Sequence, residues 1–247
     1  MTQQALDRRL GLTDAVFLGL GSIVGTGVFV SIGVAAGVAG PAVILATAIA
    51  ALVATANALN SAQLAASHPV SGGTYEYGYR YLSPWLGFSA GWMFLCAKTA
   101  SAATAALGFA GYATNSLGIE SRWIVPIAAA MVAAVTLLVL GGIRRSSRAN
   151  TAIVSVALLS LVVFCAAGLP AASRNAGELL ATMFSDQDGA FGRLLEATAL
   201  MFVAYTGYGR IATLGEEVIE PRRTIPRAIV VTLVVSGVLY VAVAVVA

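Results

Sequence analysis

The chain has 247 residues, 59% of them hydrophobic and 10% charged, with a formal net charge of +3. That balance excludes a soluble domain of this length and places the chain in the membrane class. The basic residues are dispersed between apolar runs, which excludes a nucleic-acid-binding patch. Cys96 and Cys165 fall inside apolar runs and show no metal-ligand spacing, so no disulfide framework, metal or cofactor is expected.

Apolar runs predict seven membrane spans, over residues 13–36, 41–66, 84–112, 123–141, 150–169, 190–213 and 227–247. The fold class is therefore an all-α integral membrane protein, with 1–247 as a single transmembrane domain. The first run is long enough to cross a bilayer, which takes about 20 residues. It is too long for a signal peptide, and several more runs follow it. Its middle is broken by Gly21-Ser22-Ile23-Val24-Gly25-Thr26-Gly27. Irregular backbone at that depth is tolerated only where it is buried in protein or lines a polar cavity. Secondary transporters place their substrates at such discontinuities.

Residues 37–41 read as a tight outer turn, and 68–84 as a longer inner loop rich in turn residues and tyrosines. Ser83 and Pro84 then read as N-cap and first residue of the third span. Residues 141–148 form a short basic inner loop, and 170–189 the longest outer connection, carrying Glu178, Asp186 and Asp188. The sixth run is interrupted by Phe202-Val203-Ala204-Tyr205-Thr206-Gly207-Tyr208-Gly209, and a loop of mixed charge over 216–227 follows. The seventh run reaches Ala247 without a polar tail, so a truncation or a fragment of a longer protein is expected. With the N-terminus cytoplasmic, nine arginines (8, 9, 80, 144, 145, 148, 222, 223, 227) fall inside and three (122, 174, 193) outside. The positive-inside rule then gives a multi-pass inner-membrane protein in that orientation. An odd number of spans separates the starts of the two broken ones, so they enter the membrane from opposite sides. This is the arrangement of inverted repeats, here a first repeat over about 10–170 and an incomplete second over about 189–247.

These segments resemble the amino acid–polyamine–organocation transporter superfamily. Gly21-Ser22-Ile23-Val24-Gly25-Thr26-Gly27-Val28-Phe29 is similar to its first-helix signature, and Pro69-Val70-Ser71-Gly72-Gly73-Thr74-Tyr75 to its loop between helices two and three. The second break, with Gly215-Glu216-Glu217 and Pro221-Arg222-Arg223-Thr224-Ile225-Pro226, resembles its broken sixth helix and the loop after it. The resemblance implies the inverted-repeat fold of the sodium-coupled leucine transporter, with helices one and six broken. It implies an amino acid substrate, the carboxylate meeting backbone amides at Gly25, Thr26 and Gly27 and the ammonium meeting carbonyls at Ile23, Val203, Ala204 and Thr206. A helix N-terminus with free N–H groups suits an anion, which agrees with that mapping. The alternative is that the glycines only allow tight helix packing. Gly25 and Gly27 are expected to be replaceable without loss of the fold.

Two positions depart from the family pattern. Valine stands at 203, where relatives often carry an aromatic gate, which transfers the gate to Phe202 or Tyr205. Glycine stands at 209, where many relatives are acidic, and Arg210 follows it. Lys98 is the chain's only lysine and lies mid-span, on a face of small and polar residues that includes Gly91, Ser101, Ala105, Gly108 and Tyr112. It is either a coupling group that titrates or a fixed charge held by helix-break carbonyls or a carboxylate. Asp14 reads as a helix cap or an inner-surface pair, Glu196 as interfacial, and His68 and Glu76 as loop residues. Glu216, Glu217, Glu220, Arg222, Arg223 and Arg227 read as an inner ion-pair network.

The function this points to is secondary active transport of amino acids by alternating access, coupled to protons or to exchange. The rival is a truncated homologue that acts, without transporting, as an amino-acid-binding or regulatory membrane subunit. Enzymatic chemistry is not expected, because no nucleophile–base pair is present and the single histidine lies in a loop.

Overall fold

A computed structural model describes residues 8–175, 177, 181 and 189–247, the side chains of 143–145 excepted. Every regular element among them is helical. Helix α1 (Leu12–Ile23) starts where the Asp14 carboxylate reaches back to accept the Gly11 N–H at 3.0 Å, a capping role. It stops at Val24, and the chain resumes as a π-helical stretch, Gly27–Ser31, that runs into α2 (Ile32–Ala39). Gly40, at φ +55°, adopts a backbone conformation that side chains disfavour and turns the chain into α3 (Val43–Ser67).

The loop expected over 68–84 contains a short helix, α4 (Thr74–Tyr81). Helix α5 (Pro84–Leu117) begins with Ser83 Oγ accepting the Leu86 N–H at 3.3 Å and Pro84 in the first turn. Then follow α6 (Ile124–Leu140), α7 (Ile143–Arg174), α8 (Ala190–Tyr205), a 3₁₀ turn over Thr206–Tyr208, α9 (Gly209–Ala212) and α10 (Pro221–Val246). Two expectations are corrected. Most of 141–148 is the opening of α7 and not a loop, because Gly142 at φ +104° makes the turn and arginine is a good helix former. Helix α10 starts at Pro221 and not at 227, with proline at the one position where its missing N–H costs nothing. The outer connection carrying Glu178, Asp186 and Asp188 lies outside the described residues.

Among the described residues, five helical stretches are long and apolar enough to cross a bilayer: Leu12–Ser67, Pro84–Leu117, Ser121–Leu140, Ser146–Arg174 and Pro221–Val246. The first, of 56 residues, would be roughly 84 Å long at the helical rise, against a hydrocarbon core of about 30 Å. The Gly40 turn divides it into the first two expected spans. The expected sixth span does not qualify as one helix, because α8 has only 16 residues before it tightens into the 3₁₀ turn.

Helix α3 packs against both α8 and α10, and α10 also packs against α1 and α7. In lipid the hydrophobic effect does not drive helices together, so close backbone approach must supply dispersion contact. Helix α3 provides it with Ala46, Ala50, Ala54, Ala58 and Ala62, a buried ridge at four-residue spacing. Residues on the outer sides of α6 and α7, among them Leu137, Leu140, Val156 and Leu159, are exposed. Hydrocarbon solvates such a surface as well as protein would. Replacing Ala54 by leucine should therefore destabilise the chain in detergent by about 1–3 kcal/mol through overpacking. Leu52→Ala, at a side chain 72% exposed, should be nearly neutral in the same thermal-unfolding measurement.

Candidate functional site

The break in the first span is narrow. The Val24 N–H still bonds to the Leu20 carbonyl, and the Gly25 N–H folds back to the Ile23 carbonyl at 3.0 Å. The next segment takes its first backbone bond at Phe29 N–H to Gly25 carbonyl, 3.1 Å. The opening N–H groups of that segment, at Thr26, Gly27 and Val28, precede the ladder, as at any helix start. Of the expected anion-binding positions, Gly25 faces open space, since a Cβ there would meet nothing within 4 Å. Gly25 and Thr26 border a cavity of about 380 Å³ whose other walls include Phe29, Ala105, Gly108, Phe109 and Ala157. The lining contains no ionisable group other than the Tyr112 phenol. Gly27 is different. A Cβ there would run into the Tyr240 hydroxyl and approach Ala204 Cβ to 3.1 Å, so a side chain at Gly27 disturbs packing where one at Gly25 has room.

The two breaks are in contact. A Cβ on Gly207 would lie 2.6 Å from the Ser22 carbonyl oxygen and 2.5 Å from Ile23 Cγ1, so only glycine permits this approach. The second break is a tightening and not an unwinding: the Val203 carbonyl accepts both the Thr206 N–H and the Thr206 hydroxyl, the latter at 2.7 Å. Val203 is 67% exposed and Thr206 is exposed, while Ala204 is buried against Gly27. None of residues 202–206 lines the cavity. Of the gate candidates, Phe202 is half-buried. Tyr205 is fully buried with its ring 4.9 Å from that of Tyr240, and its hydroxyl has no partner among the described residues. The Ile23 carbonyl accepts the Tyr240 hydroxyl.

Lys98 Nζ donates to Ser22 Oγ at 3.1 Å, one residue before Ile23, and lies 5.5 Å from the Phe94 ring centre. The face on which it sits meets the bundle: Gly108 faces Val30, Gly91 faces Tyr75, and Tyr112 donates to the Phe29 carbonyl at 2.6 Å. Asn150 Nδ2 donates to the Phe17 carbonyl at 3.2 Å, and Asn57 donates to the Tyr208 hydroxyl at 2.8 Å. Tyr240, Asn150, Tyr112 and Asn57 went unnoticed as site-forming residues. Asn57 and Asn150 carried a usable signal, as amides within or at the start of apolar runs; the tyrosines carried none beyond their type.

Beside the start of α1, three segments converge. The Arg9 and Leu10 N–H groups donate to the Glu217 carbonyl at 3.0 Å each, and the Ile219 N–H returns to the Leu10 carbonyl. A Cβ on Gly215 would fall 2.5 Å from the Val70 carbonyl oxygen. His68 Nε2 lies 3.4 Å from the Glu76 carboxylate. Within the expected ion-pair network, one contact forms among the described residues, Arg223 to Glu220 at 3.8 Å. Both its side chains are largely exposed, so it contributes little.

The Tyr240 bond is open to a direct test. Tyr240→Phe leaves a buried carbonyl with one fewer donor and should cost about 1–3 kcal/mol in thermal unfolding, while Tyr112→Phe, at an exposed side chain, should cost less.

Residues 14–247 match the amino acid permease family. An uncharacterized transporter of Mycobacterium tuberculosis is 44% identical over 242 residues, covering 97% of this chain and 52% of the relative. The branched-chain amino acid permease of Bacillus subtilis is 30% identical over 98% of this chain and 54% of its own length. Human cationic amino acid transporter 4 is 29% identical over 97% of this chain and 40% of its own length. The chain spans about half the length of the first of these relatives. With a family match over nearly all its residues, five helical stretches of membrane length and no strand element among the described residues, this chain belongs to the amino acid permease family, in the amino acid–polyamine–organocation superfamily.

Proposed function

We propose that the chain carries the substrate site of a secondary active amino acid transporter that works by alternating access, coupled to protons or to exchange. The observation that carries this reading is the break at Val24 and Gly25, which borders an apolar cavity, is followed by the N–H groups of Thr26, Gly27 and Val28 ahead of the helical ladder, and rests on the second break at Gly207. The substrate carboxylate takes the N–H groups of Gly25, Thr26 and Gly27, where partial positive charge accumulates. The ammonium takes carbonyls of the two breaks, drawn from Ile23, Val203, Ala204 and Thr206. Because the Gly25 N–H is folded onto the Ile23 carbonyl, which also accepts Tyr240, and the Val203 carbonyl is occupied by Thr206, substrate entry exchanges these internal bonds for substrate bonds. That exchange is the coupling between binding and rearrangement.

The cavity beside Gly25 receives the side chain. Its apolar walls hold no carboxylate to pair with a cationic side chain, so a neutral aliphatic amino acid is the preferred substrate. The Bacillus relative is named for branched-chain amino acids and the human one for cationic amino acids. The wall chemistry here favours the former. Lys98 fixes Ser22 beside the break and supplies positive charge near the substrate carboxylate. The N-terminus is cytoplasmic, in the inner membrane, and the two halves of the chain form an inverted repeat over about 10–170 and 189–247.

Thermal unfolding of the purified chain with added amino acids tests this directly. A ligand at a hundred times its Kd stabilises the folded state by about 2.7 kcal/mol. Leucine, isoleucine or valine should raise the unfolding temperature and arginine should not. Gly25→Val should abolish the shift with the unliganded protein unchanged, and Lys98→Ala should weaken it, with Lys98→Arg at best a partial rescue. Equal stabilisation by arginine and leucine would overturn the side-chain assignment, and full leucine binding by Gly25→Val would overturn the site.

A further inference from the structure

At the inner mouth, Arg8, Pro69, Glu220, Pro221, Arg222 and Arg223 line a cavity of about 530 Å³, separate from the one beside Gly25. Its charges come from two distant parts of the chain, the segment before α1 and the start of α10, and Pro69 of the α3–α4 loop completes the wall. The lining holds three arginines and one carboxylate, a net charge of +2 at neutral pH. The Glu220 carboxylate sits 3.8 Å from Arg223, and no carboxylate lies within ion-pair distance of Arg8 or Arg222 among the described residues. Two of the three arginines lining the recess are thus without an ion pair among the described residues, and guanidinium groups suit tetrahedral oxyanions.

We propose that this recess binds a phosphoryl group carried by an anionic lipid headgroup or by a soluble phosphate. A phosphate monoester carries about −1.5 to −2 at neutral pH, which matches the lining. The recess lies at the inner end of the bundle, where a headgroup reaches it from the leaflet and a soluble phosphate from the aqueous side. Bound there, the anion bridges the segment before α1 and the start of α10, which are already joined through the Leu10 and Ile219 backbone pairing.

The test is thermal unfolding of the purified chain in a neutral detergent, titrated separately with inorganic phosphate, short-chain phosphatidic acid and phosphatidylcholine of the same chain length. Phosphatidic acid should raise the unfolding temperature saturably, and phosphatidylcholine should not. A rise with inorganic phosphate as well shows that the phosphoryl group alone suffices, and a rise with phosphatidic acid only assigns the site to lipid. Arg222→Gln and Arg8→Gln should each weaken the apparent affinity roughly tenfold, the loss of one charge-assisted hydrogen bond. Arg222→Lys keeps the charge and should retain part of it, which separates loss of the site from loss of the fold. No saturable rise with either phosphoryl compound, an equal rise with phosphatidylcholine, or unchanged affinity in both glutamine variants would overturn the proposal.

Discussion

Within hydrocarbon every backbone N–H and C=O must find a partner inside the protein, and an interrupted helix at that depth is the hardest case. The first span meets the constraint with help from three other helices. Its carbonyls at Phe17, Ile23 and Phe29 accept Asn150 of α7, Tyr240 of α10 and Tyr112 of α5. Ser22 takes Lys98 of α5 between them. These donors are spaced along the whole interrupted helix, so it is held from several sides while the opening N–H groups of its second half stay available. The packing of α10 and α7 on α1 serves that arrangement, and α5 reaches the first span through the Lys98 and Tyr112 side chains.

The small residues serve the same end by another route. Donors can reach a backbone carbonyl only if helix axes lie close, and the alanine ridge of α3 lets α8 and α10 approach. Gly207 on Ser22 and Gly27 beside Ala204 are close approaches of the same kind, each a place where one methyl group would press the two breaks apart. Gly25 is the exception: it faces space and not protein. Glycines in one motif thus play two different parts, and only their surroundings distinguish them.

Much of this was legible in the sequence. The class, the first break, the cap at Ser83 and the bundle-facing side of Lys98 follow from hydropathy, turn chemistry and helical spacing, which are local properties. Helix starts near arginines were misplaced, since charge suggests a loop although the residue itself favours a helix, as α7 and α10 show. The second break looked like the first by glycine content, yet Thr206 closes the Val203 carbonyl and keeps the backbone tight. Tyr240 was invisible as a partner of Ile23 because pairing between distant spans leaves no local trace. An aromatic residue in an apolar run reads the same whether it meets lipid or a carbonyl.

The bond from Tyr240 to Ile23 joins residues 217 positions apart. A ribosome adding about 5–20 residues per second needs roughly 10–40 s to make that stretch. Throughout that interval the first span has its interruption unsupported by α10, and Leu10 lacks the segment around Val218 with which it pairs. During synthesis the Ile23 carbonyl has the Gly25 N–H as its donor within the chain, and its second acceptor site waits for Tyr240. Assembly of these helices is therefore ordered in time, with the break after α1 completed only once α10 has been made.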